Sequence, residues 1–172
     1  MLHKAFVFDD DAFRFELGGL LGEALQTGDL TQLRAFIEQH RSEISDPYEG
    51  AALDVDWESQ IELKDAHQYG DFAITKYLDP ADDIGLGAEW PAIGELLEEN
   101  GLPESILLGA VFEGFDPGKQ GSYFQSPQTV RDNLRQLDEL VGRKPALADR
   151  FALLRAMLEA AASRAMGLYV TF

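Results

Sequence analysis

Alternation and helical spacing divide the chain into short elements. Residues 4–8, Lys-Ala-Phe-Val-Phe, are aromatic and β-branched and predict a strand. Asp9, Asp10 and Asp11 follow, offering a helix N-cap and charge that suits a helix dipole. Phe13, Leu17, Leu20, Leu21 and Leu25 then share one face of a helix over 12–25, which Gly18, Gly19 and Gly22 weaken, so a break or a close contact is expected there. A turn at 27–29 leads to a second helix, capped by Asp29 or Thr31 and running to about Ile44. The pattern is poor over 50–71, with a short helix predicted near 57–63. Residues 72–78 alternate and read as a strand. A turn at 79–85 precedes a helix over 88–99 that Asn100-Gly101 ends.

Beyond residue 100, the run 105–112 fits strand or short helix equally. Gly114, Asp116-Pro117-Gly118 and Gly121 form a loop, and 122–124 predict a strand. Ser126-Pro127 is a helix start, and that helix is expected to run to Val141 with Gly142 as its stop. Pro145 opens a last helix to about Ala165, and 167–172 form a final strand whose natural neighbour is the first. The sum is a helix-rich α+β single domain over residues 1–172, with a small sheet that includes the N-terminal and C-terminal strands.

Charge changes this picture. The chain of 172 residues carries −17 at neutral pH, and residues 1–100 hold 23 Asp/Glu against 6 Lys/Arg, whereas residues 101–172 hold 8 of each. The first part is acidic and the second charge-neutral. Such a field repels nucleic acid and anionic membrane surfaces and attracts basic partners. With no cysteine, the chain has no disulfide, thiol nucleophile or iron–sulfur cluster. The first eleven residues lack a signal-peptide pattern, and no apolar run approaches the length that spans a bilayer, so a cytoplasmic location is expected.

In the second half the order of signals is familiar. Trp90, Leu96 and Leu97 sit on one helix, followed by Leu107-Leu108-Gly109, Tyr123, Pro127 with Val130, and Ala160-Ala161-Ala162 leading into Gly167-Leu168-Tyr169-Val170. This order resembles the YfbM-like family of bacterial proteins, a domain of unknown function, over residues 88–172. The resemblance implies an α+β fold with a small sheet and supplies no catalytic residues. Ala110 stands where that family often has a second glycine, and residues 1–87 show no match.

Candidate chemistry is sparse. Phe8-Asp9-Asp10-Asp11 has the strand-then-Asp-x-Asp form of haloacid-dehalogenase phosphatases, but the second acidic strand end is missing and Phe13 replaces the expected Thr or Val. His3, His40 and His67 include no pair at metal-ligand spacing, and His67 reads as a surface ion-pair partner of nearby acids. Asp79, Asp82 and Asp83 resemble a calcium loop only in composition. No catalytic residues, metal or cofactor are assigned.

What remains is the acidic, aromatic segment 46–83. Tyr48, Asp54, Asp56, Trp57, Glu58, Tyr69, Tyr77, Asp82 and Asp83 are the expected partner-binding residues, with aromatics as anchors and carboxylates for steering. The reading is a non-enzymatic acidic binding protein, specifically an immunity or inhibitor protein for a basic toxin. The alternatives are a carboxylate- or metal-dependent enzyme and a structural or interaction module. The oligomeric state is left open.

Overall fold

Three strands form one antiparallel sheet in the order β1-β3-β2, with β1 at Lys4–Phe8, β2 at Ser122–Gln125 and β3 at Gly167–Thr171. The computed structural model describes residues 1–118 and 121–172, so the loop at 114–121 contains two positions outside the described residues. Between β1 and β2 lie α1 (Asp10–Phe13), α2 (Gly19–Thr27), α3 (Thr31–Gln39), α4 (Ala66–Ile74) and α5 (Trp90–Glu99); α6 (Pro127–Arg143) and α7 (Ala152–Ala162) precede β3. The fold is a helix-rich α+β arrangement whose small sheet joins the first and last strands. Lys4 pairs with Thr171 and Phe8 with Gly167.

The two-residue period of the strands sorts the sheet's side chains onto two cores. Phe6, Phe8, Phe124 and Tyr169 face the first, which α1 to α4 complete with Phe13, Leu17, Leu33, Ile37 and Phe72. Ala5, Leu168 and Val170 face the second, filled by α5, α6 and α7. Helices therefore cover both faces, and β3 is buried on both. At its start, Gly167 lies where a Cβ would meet the Gln125 carbonyl and the Asp10 side chain.

Both sheet edges are closed by loop backbone, which removes the unpaired edge that invites aggregation. Along β1, His3 and Gly87 exchange two backbone hydrogen bonds of 3.0 Å, the Ile84 N–H donates to the Ala5 carbonyl, and the Asp83 carboxylate accepts from the Ala5 N–H at 3.1 Å. Along β2, Ala110 exchanges two bonds with Phe124. His3 is buried, with its Nε2 donating to the Leu107 carbonyl at 3.2 Å and its Nδ1 accepting from the Leu86 N–H at 3.2 Å. That pattern requires the neutral ring, and burial accordingly pushes its pKa below 6.5.

Several elements differ from expectation for identifiable reasons. The helix over 12–25 is interrupted by a π-turn at Arg14–Gly18, and Gly22 leaves room for the Glu113 carboxylate, so both the break and the close contact occur. Residues 72–78 are not a strand. Asp65 caps α4 by accepting from the Gln68 N–H at 2.9 Å, and Phe72, Ala73 and Ile74 are buried consecutively rather than alternately. The helix after Thr31 ends at Gln39, short of Ile44. Near residue 57 there is one 3-10 turn, Trp57–Gln60. Ser126 caps α6 as expected, but Gly142 lies inside that helix; Pro145 opens a 3-10 turn, with α7 starting seven residues later.

Two outcomes test the sheet edges. Gly85→Ala places a methyl group against the His3 and Lys4 backbone and is expected to cost about 1–3 kcal/mol in urea unfolding. Asp83→Ala removes an acceptor from the Ala5 N–H and should cost about 1 kcal/mol. For His3 the folded pKa lies below the unfolded value of 6.5. Its contribution is complete above that pH and is lost as pH falls below it, because the unfolded ring takes up the proton first. Thermal melts of His3→Gln, compared with the parent between pH 5 and 8, are expected to show a shallower loss on the acid side.

Candidate functional site

The site is a cleft of about 310 Å³ above the open end of the sheet, on the face carrying the first core. Its floor comes from alternate strand residues, Lys4 and Phe6 of β1 with Tyr169 and Thr171 of β3. One wall is α4, which contributes Asp71, and this helix packs closely: a Cβ on Gly70 would strike the Phe115 ring and Leu21. A second wall is the segment around Pro47 and Tyr48.

Local hydrogen bonds hold that segment against α4. The Thr75 hydroxyl accepts from the Ser45 N–H at 2.9 Å and lies 3.1 Å from the Ser45 carbonyl, tying the end of α4 to the start of the loop. Asp46 then organises the turn: its carboxylate accepts from the N–H groups of Tyr48 at 2.6 Å and Glu49 at 2.9 Å. The opposite side of the cleft is Pro117 and Gly118. Just before them, the Asp116 N–H donates to His67 Nδ1 at 3.1 Å. His67 therefore serves the backbone here and forms no ion pair with Asp65 or Asp71 among the described residues.

Asp71 is the only carboxyl side chain lining the cleft among the described residues. Burial raises its pKa to about 7, Asp46 adds to the rise, and the nearby Tyr48 phenol, a donor to the carboxylate form, opposes it. Tyr48 is 69 % exposed, and partial burial followed by the charge of Asp71 pushes its pKa up to about 12. Tyr169 shifts upward too, chiefly through burial and then through the Asp71 charge. The Ser122 hydroxyl donates to the Tyr169 oxygen at 3.1 Å.

The sequence-derived residues fall into three groups. Tyr48, Asp54, Asp56 and Asp82 are exposed, and Asp54 accepts from the Asp56 N–H at 2.8 Å. Trp57, Tyr69 and Tyr77 are core residues and cannot serve as surface anchors: Trp57 is fully buried, its indole N–H donates to Glu38 at 2.8 Å, and the Tyr77 hydroxyl donates to Glu16 at 2.9 Å. Glu58 pairs with Arg34, and Asp83 has an oxygen engaged at the sheet edge by the Ala5 and Gly85 N–H groups. Asp71, Tyr169 and Thr171 were missed. The overlooked signal was Asp65-Ala66-His67-Gln68, a helix N-terminus spacing that places Asp71 on a helix.

Other groups are less organised for binding. A cleft of about 330 Å³ includes Asp9, Lys76, Asp82 and Arg164, of which Asp82 and Arg164 lie 3.9 Å apart and so oppose each other's charge. Among the described residues, no three His, Asp or Glu side chains are placed to hold a metal ion, and no helix is long and apolar enough to cross a membrane.

The Asp71 shift gives a stability test. A carboxyl group whose folded pKa is raised contributes fully below 3.8, and that contribution is lost as pH rises toward about 7. Asp71→Asn keeps the shape without the ionisation. Urea unfolding should show the variant equal to the parent near pH 4 and more stable at pH 8 by about 2 kcal/mol, roughly half the fully buried limit because the cleft is open to water. Comparison with known proteins adds no relative: no family model, curated protein or solved structure matches this chain.

Proposed function

We propose that the protein is a cytoplasmic, non-enzymatic binding protein for a cation-rich protein, of the kind that an immunity or inhibitor protein for a basic toxin represents. The observation that supports this reading is the exposed segment 46–65. Tyr48, Val55 and Leu63 stand out from it at 69 %, 71 % and 56 % exposure, interleaved with Glu49, Asp54, Asp56 and Glu62. Lys64 is the exposed cation of the segment; apolar anchors set among mainly negative side chains suit a partner of opposite charge, with the anchors supplying affinity and the carboxylates supplying rate and specificity.

Two further features favour it. The segment is held before any partner arrives, because Trp57 and Ile61 are buried in the first core and Ser45 forms a bridge to Ala52. Pre-ordering of this kind lowers the entropic cost of docking. The acidity is also left largely uncompensated by the neutral half. Among the described residues the ion pairs join groups within residues 1–100 or within 101–172, and the single pair across the two is Arg164 with Asp82 at 3.9 Å.

Calorimetric titration against basic nuclease-type toxin domains, at about 150 mM salt where exposed charges are screened beyond roughly 8 Å, tests the reading. Saturable binding to one of them is expected. Val55→Asp should weaken it by about tenfold or more by placing charge on an apolar anchor, and Asp54→Asn with Asp56→Asn should slow association and flatten its salt dependence. If no basic domain binds more tightly than it binds an unrelated acidic protein, the reading is wrong.

A further inference from the structure

We propose that the cleft above the sheet is a recognition site for a primary alkylammonium group, with the nitrogen seated on the Asp71 carboxylate and the methylene chain lying along the aromatic and aliphatic lining. This site borders the exposed segment 46–65 and shares Pro47 and Tyr48 with it, but its charged group is Asp71 on α4, and it does not depend on a basic protein binding that segment.

The shape and the lining both point to such a ligand. A volume of about 310 Å³ accommodates a short aliphatic chain with room for water. Phe6, Tyr48 and Tyr169 supply ring surfaces, which attract cations, while Ile74 and Leu78 supply aliphatic contact. An ammonium group has three donors and no acceptor, so it needs several oxygens near one point. The Asp71 carboxylate, the Tyr48 and Tyr169 phenols and the Thr171 hydroxyl are the oxygens that this cleft provides.

Charge completes the argument. A carboxyl group in a partly desolvated site is favoured as an anion only if a cation accompanies it. Among the described residues Asp71 has no ion-pair partner, and Lys4 at the exposed rim of the cleft is paired with no carboxylate. Burial and the Asp46 charge disfavour the Asp71 anion, and an ammonium ion arriving in the cleft offsets both. The same chemistry is offered by a free small amine and by a lysine side chain projecting from another protein.

Nuclear magnetic resonance titration of the full chain at about pH 7.5 separates these cases, with n-butylammonium chloride as one probe and N-acetyl-lysine methylamide as the other. The expected result is saturable binding of n-butylammonium with a dissociation constant on the order of 1 mM, followed at the Asp71 carboxyl and the Tyr169 ring. Asp71→Asn is expected to weaken it by about tenfold or more. Asp82→Asn and Val55→Asp are expected to leave it unchanged, so the outcome is independent of whether any basic protein binds segment 46–65. Equal affinity for the lysine derivative assigns the cleft to a protein side chain, and a loss of about tenfold assigns it to a free amine. The proposal is overturned if n-butanol binds as tightly as n-butylammonium, if Asp71→Asn binds both amines as the parent does, or if neither amine shows saturable binding.

Discussion

Pairing of β3 with both β1 and β2 is the constraint on which the rest of the molecule depends. Its side chains supply the dividing layer between two cores, with Tyr169 on one side and Leu168 and Val170 on the other. If β3 left the sheet, both helical layers would lose their common surface, and the buried backbone groups of β1 and β2 would lose their partners. The ladder is extended at one end by side chains: Phe172 packs edge-on against the His3, Trp90 and Tyr123 rings. The sheet is only three strands wide, so its closed edges matter as much as its faces. Segment 83–87 and Ala110 supply that closure without adding strands.

The same arrangement produces the cleft. Core packing against the first face of the sheet is dense around Phe8, Phe13 and Phe124, whose rings lie 5.3–5.5 Å apart. Toward Lys4 and Thr171 the helices no longer cover the strands completely, and α4 stands beside the uncovered patch. A carboxylate on that helix is then partly shielded from water without being enclosed. Its altered acidity follows from that placement, and the nearby Tyr48 and Asp46 modify it in opposite directions.

The sequence revealed those parts of the fold where two independent signals agreed. For β1, β2 and β3, β-forming side chains coincided with flanking turn or cap residues. The α6 start was marked by both Ser126 and Pro127. Residues 72–78 alternate like a strand, but the Asp65 cap starts a helix that runs through Ile74. Burial of Phe72, Ala73 and Ile74 in succession is a property of a helix wedged between layers, which composition does not separate from a covered strand. The aromatic anchors failed for a related reason. Aromatic residues among carboxylates look alike whether the ring faces inward, as at Trp57 and Tyr69, or outward, as at Tyr48. Asp71 was hidden because its significance comes from Tyr169 and Thr171, about a hundred residues away.

That distance along the chain also has a consequence for biosynthesis. β1 is made first, yet its only strand partner, β3, emerges roughly 10–30 s later at ordinary rates of elongation. Throughout that interval Phe6 and Phe8 have no completed sheet to join, and only helical residues such as Phe13 and the nearby Tyr77 are at hand to cover them. The ladder that joins the two cores is therefore completed only when β3 is available to lie between β1 and β2.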